Sequence, residues 1–147
     1  MRLEKSRRHK LRVHWPMTAE TFERFVGDST GSVYSGKELA ALTEVIQGTP
    51  ELGDFGTYTD VVEFTLGYES FVVGNGANAT MGTPGQRSVS PTLVLTTYLN
   101  PDLPDSRLDE ILEALVSAHP WEVPVIELTE IVQLVPPALA DAAGVRE

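Results

Sequence analysis

The hydrophobic pattern changes period once, between residues 106 and 134. Leu108, Ile111, Leu112, Leu115 and Val116 recur at i, i+3, i+4, i+7 and i+8, the apolar face of a helix. Ser106 is placed to cap that helix, with Asp109 three residues on. Pro120 ends it, because the residue before a proline is pushed out of the helical region. From Val125 the period is two. Ile126, Leu128, Val132 and Leu134 fall on one face of a strand, with Glu127, Thr129 and Gln133 on the other. Glu130 and Ile131 interrupt the two rows, so the strand is not buried evenly.

Earlier in the chain, Leu11, Val13 and Trp15 alternate with Arg12 and His14, which predicts a short strand over 11–15, stopped by Pro16. Thr18 is the expected cap of a short helix carrying Phe22, Phe25 and Val26, and residues 27–32 form a loop cluster. Ser35 and Glu38 make a capping-box pattern ahead of Leu39, Leu42, Val45 and Ile46, a helix that should end at Gly48. Residues 57–66 and 69–73 read as two strands turned about Gly67 and Tyr68. Residues 74–86 hold Gly74, Gly76, Gly82 and Gly85 and no apolar run, a loop long enough to suspect a function. A strand over 92–99 is expected beside the one over 125–134, and Pro136-Pro137 closes the last strand. This order predicts one α+β domain over 1–147, an antiparallel-rich sheet with the helices from Ser35 and Ser106 on one face and an extra N-terminal helical piece.

A chain of 147 residues is long enough to bury a core without staples, and its 41% apolar and 22% charged content is ordinary for a globular protein. It has no cysteine, hence no disulfide framework and no thiolate metal site. No apolar run reaches the length of a membrane span and the N-terminal basic residues precede no signal-like apolar core, so a cytoplasmic location is expected. The charge is unevenly spread. Residues 1–12 hold six of the eleven basic residues and one acid, about +5, which leaves about −15 for the remainder. A body that acidic repels nucleic acid and anionic membrane. Residues 1–10 are read as a basic N-terminal arm that binds phosphate, folds onto its own acidic body or, as chain ends most often do, frays into solvent, and 136–147 as a C-terminal tail that forms a short helix or frays.

Of the three histidines, only His119 has a second ligand-type group beside it, Glu122, on a corner stiffened by Pro120 and Pro124. That pair admits a divalent metal ion, but a metal site needs three or four such groups and the sequence offers no second cluster. A histidine at a helix C-terminus is also favourable in itself, which gives His119 a structural reading. No nucleophile elbow, phosphate-binding loop or zinc-protease helix is present.

The corner and its flanks, AHPWEVPVIEL, resemble the AHPYEEPAYDI signature of the Nif-three-like family and the HPYEVPEII signature of the CutA proteins. Gly53-Asp54-Phe55-Gly56-Thr57-Tyr58, then Gly74-Asn75-Gly76-Ala77-Asn78 and Gly82, are similar to the GxIGNYD, GxGAN and IG elements of the former, in the same order. The resemblance covers residues 53–134. It implies a PII-like, ferredoxin-type domain that forms homo-oligomers, generally trimers, and binds a small ligand or ion in a regulatory role. The domains that carry the dinuclear metal site of the Nif-three-like proteins have no counterpart here, so that site is not implied. The expected ligand cleft lies between the corner and the glycine-rich loop, with His119, Trp121 and Glu122 from one and Asn75, Gly76 and Asn78 from the other. Two further function classes stand beside this one: a scaffold whose product is the oligomer, and an enzyme using His119 and Glu122 as acid and base. Binding without turnover is expected, since no nucleophile–base pair is in view.

Overall fold

The computed structural model describes residues 2–27 and 32–136. Four strands, β1 (Glu4–Pro16), β2 (Glu63–Val72), β3 (Arg87–Leu99) and β4 (Ile126–Val135), form one antiparallel sheet in the order β2-β3-β1-β4. Helices α1 (Ala19–Gly27), α2 (Ser32–Ser35) and α3 (Ala40–Gln47), with a 3-10 turn at Lys37–Leu39, lie between β1 and β2, and α4 (Asp105–Ala118) joins β3 to β4. This is the expected α+β, ferredoxin-like arrangement of two interleaved β-α-β units. The expected adjacency of β3 and β4 is corrected. The two strands run parallel, and β1 fills the space their helical crossover leaves between them.

A second correction concerns residues 1–10. Residues 4–10, expected as a basic arm outside the sheet, are the first part of the central strand, which pairs with β4 from Glu4↔Val135 to Val13↔Ile126. On its other side β1 pairs with β3 from His9↔Leu99 to Pro16↔Thr92. Leu11, Val13 and Trp15 are buried with Leu93, Leu95 and Leu99 beneath Leu39, Leu42, Ile46, Ile111 and Leu115 of the helical layer. Removing a buried leucine of this kind to alanine costs about 2–5 kcal/mol. Arg8 lies on the opposite face in an unbroken register, yet it is only 1% exposed. Its guanidinium carbon sits 4.8 Å from the centre of the Phe55 ring, and Nη1 donates to the Asp54 carbonyl at 3.2 Å. The central strand therefore buries one face under helices and part of the other under the loop after α3.

The loop expected at 27–32 and the tail at 136–147 lie outside the described residues except at their edges. Thr18 caps α1 as expected, its Oγ1 accepting from Thr21 N at 3.1 Å. Glu38 forms no capping box with Ser35. It accepts instead from Thr18 N at 3.0 Å and Oγ1 at 3.1 Å, while its carbonyl accepts from Trp15 Nε1 at 2.9 Å. The fourth helix begins at Asp105 after Pro104, with no side-chain cap, so Ser106 sits inside its first turn. Arg107 donates through Nε and Nη2 to the Glu51 carboxylate, which ties α4 to the segment after α3 and holds the Glu51 carboxyl below the usual range.

Two more strand expectations change. No hairpin forms at Gly67, because β2 runs unbroken through it, and the hairpin instead joins β2 to β3 through residues 73–86. Residues 57–62 are not strand. They belong to a turn that starts at Gly53, whose φ of +67° and close approach to the Val61 backbone leave no room for a side chain: a Cβ would lie 2.3 Å from the Val61 carbonyl oxygen. Gly53 N donates to Tyr98 O at 2.8 Å and Thr97 Oγ1 to Val61 O at 2.9 Å, so this turn seals the end of β3 beyond its pairing with β2. Among the described residues no helix is long and apolar enough to cross a membrane.

Candidate functional site

At the opposite end of β3 the corner after α4 meets the β2–β3 loop. The helix stops at Ala118 and His119 turns extended, with φ −67° and ψ 135°, as the following proline requires. His119 is 7% exposed and its ring faces Trp15 at 4.5 Å between centroids. Nε2 lies 2.6 Å from the main-chain oxygen of His14, and Nδ1 lies 3.0 Å from Trp121 N. A carbonyl only accepts and an N–H only donates, so the ring is the neutral tautomer that donates from Nε2 and accepts at Nδ1. Burial pushes the His119 pKa down, against the opposing pull of the His14 carbonyl and Glu69. Both ring nitrogens are thus spent inside the protein, and His119 orients Trp121 through its backbone.

The loop is fastened to the corner by Glu122. Its Oε1 accepts from Thr80 N at 2.7 Å and Thr80 Oγ1 at 2.6 Å, and these bonds hold the carboxyl below the usual range. Gly82, at φ +94°, lets the loop fold back against β2, since a Cβ there would stand 2.9 Å from Val73 Cγ2. Trp121 meets Phe71 of β2 edge-on at 5.8 Å.

These elements border an open cavity of about 410 Å³, lined on the loop side by Asn78 and Met81, on the strand side by Glu69 and Phe71, and on the corner by Trp121 and Glu122. The structure thus brings together three of the residues expected at the cleft, Trp121, Glu122 and Asn78. Asn75 and Gly76 are exposed on the outer part of the loop, and His119 stands behind the wall; none of these three lines the cavity. Glu69 and Phe71 were not expected. Both lie on one face of β2, two residues apart; the strand expected over 69–73 already held them, but nothing in the sequence placed that face beside the corner. Glu69 Oε1 also lies 3.0 Å from His14 Nδ1. Among the described residues no three His, Cys, Asp or Glu side chains are grouped so as to hold a metal ion.

No family model and no curated protein matches this sequence. Among solved structures, a Bacillus cereus protein related to NIF3 is similar at a TM-score of 0.53 and 17% identity, over 87% of this chain and 26% of that one. This chain has the fold of that segment. It spans about a quarter of the length of the NIF3-related protein. The periplasmic divalent cation tolerance protein CutA from Archaeoglobus fulgidus is similar at a TM-score of 0.45 and 9% identity, over 93% of this chain and 95% of that one.

Proposed function

We propose that this protein is a PII-like, oligomeric module that binds a small ligand, without turnover, in the cavity between the corner and the β2–β3 loop, in a regulatory role. The observation that carries the reading is the cavity itself. Two segments distant in sequence converge on it, are fastened by the Glu122–Thr80 hydrogen bonds, and leave an open cleft whose volume falls at the lower end of the roughly 300–1,000 Å³ typical of small-molecule sites. Trp121 forms an apolar wall, Asn78 offers amide hydrogen bonds, and His119 positions Trp121. Asn75 and Gly76 would take part only through a movement of the loop. The reading includes a homotrimer as the working unit and a cytoplasmic location, with which a cysteine-free chain is compatible.

The test is a thermal-shift screen of wild type, Trp121→Ala and Asn78→Ala against amines, nucleotides, divalent ions and small carboxylates, since a ligand specific for the native state raises its stability by mass action. A compound that stabilises wild type and not the variants supports the site. Variants that stay folded and respond as wild type does to every compound would assign the corner to structure alone. The second reading, an oligomerisation scaffold without a ligand, rests on the apolar row of the edge strand β4, where Leu128, Val132 and Leu134 are exposed.

A further inference from the structure

Resting on that reading of the cavity, we infer that its ligand is an organic cation, an ammonium group on an apolar or aromatic body. Two of the residues that line the space are carboxylates, Glu69 and Glu122, and none is lysine, arginine or histidine. Each carboxylate is anchored through one oxygen. Glu122 Oε1 takes both Thr80 donors, and Glu69 Oε1 faces His14 Nδ1 at 3.0 Å. Among the described residues neither carboxylate is paired with a lysine or an arginine.

The chemistry of the walls narrows the ligand further. A nucleotide or a carboxylate would bring a like charge against both glutamates. A neutral apolar molecule would cover the carboxylates without replacing the water they lose. A hydrated divalent ion finds no third His, Cys, Asp or Glu side chain grouped with the two glutamates among the described residues, and much of what it would meet is apolar: Phe71, Val72, Val73 and Val123. An ammonium ion satisfies each of these surfaces. It donates charge-assisted hydrogen bonds to the carboxylates, its positive charge is attracted to the faces of Trp121 and Phe71, and its apolar body takes the remaining wall. The chain outside residues 1–12 carries about −15, so long-range attraction also favours a cation over an anion.

The experiment is isothermal titration of the full chain at neutral pH with three ligands of one shape: tryptamine, the neutral alcohol tryptophol and the anion indolepropionate. Wild type, Glu122→Gln, Glu69→Gln and Trp121→Ala are compared, each first shown to be folded by its thermal transition. Tryptamine is expected to bind wild type at least about tenfold more tightly than tryptophol, the gain of a charge-assisted hydrogen bond, with indolepropionate weaker still. Glu122→Gln should bring the amine close to the alcohol, and Trp121→Ala should weaken both, the amine more than the alcohol. Equal or tighter binding of the alcohol or the acid to wild type, lost in Trp121→Ala, would overturn the cation assignment and leave the cavity standing as a ligand site. If none of the three saturates at millimolar concentration, the cation assignment and this cavity as its site fall together.

Discussion

Nε2–H of His119 donates to the main-chain carbonyl of His14 at 2.6 Å, which couples the corner after α4 to the central strand. The acceptor is fixed and the other ring nitrogen already accepts from Trp121 N, so protonating the ring means breaking that second bond. Burial lowers the native pKa of His119 below its ordinary value near about 6.5. The unfolded chain therefore binds the proton more readily than the native one. Stability from this group is complete above about 6.5 and declines as pH falls from there through the native pKa.

The expected outcome is a fall in denaturation midpoint on the acid side of about pH 6.5 that His119→Gln removes, because glutamine has no titrating group. His119→Leu should cost about 1–3 kcal/mol at neutral pH through the bonds it leaves unmade. Chemical denaturation across the pH range checks both, and an unchanged slope in His119→Gln would refute the assignment.

Gly53 and Gly76 both have positive φ, +67° and +81°, yet they differ in surroundings. A Cβ at Gly53 meets the Val61 backbone, whereas at Gly76 nothing lies within 4 Å. Gly76→Ala should cost about 1–2 kcal/mol of left-handed strain. Gly53→Ala should cost clearly more, because the turn that seals β3 has to move. Paired urea denaturation midpoints decide the order.

Glu122→Ala removes both hydrogen bonds from the loop to the corner. Amide exchange across residues 74–86 should quicken severalfold, while amides at Leu11, Leu95 and Leu115 in the core keep their protection. Equal exchange in both proteins would show that the loop holds its place without this fastening.

The proposed trimer should appear as a threefold mass in light scattering at micromolar concentration. Val132 is 57% exposed on the edge strand β4, so Val132→Lys should shift the mass toward monomer without lowering the monomer's own stability by more than about 0.5 kcal/mol. A monomer in wild type would refute the assembly.

What could be read from the sequence was whatever local periodicity decides. Leu108 to Val116, Pro120 and the change of period at Val125 announce α4, the corner and β4, because each signal acts within a few residues. The first half of β1 was hidden by its charges. Arg7 is a solvated strand residue, but Arg8 is buried by Phe55, a partner almost fifty positions away that no local pattern reveals. Gly67 reads as a turn, yet it pairs with Thr92, a Cβ there would meet nothing within 4 Å, and the strand passes straight through. Glu69 and Phe71 lay within a strand the sequence does predict, over 69–73, but no local signal sets that strand against the corner after α4. Trp121, Glu122 and Asn78 were legible because a resemblance joined their two segments, not because either segment points to the other.

The place of β1 in the sheet has a consequence for how the molecule assembles. Leu11 pairs with Thr97 on one side and with Leu128 on the other, so the earliest strand of the chain is completed only by its two latest. Neither pairing can form by local zipping. The β2–β3 hairpin and α4 can form early, but the central strand must be closed in by two loops that each span most of the polypeptide. Such non-local closure places refolding in the slow range for small domains, of order milliseconds to seconds. Until then the row of Leu11, Val13 and Trp15 stays open to other chains, which makes protein concentration during refolding the variable that governs yield.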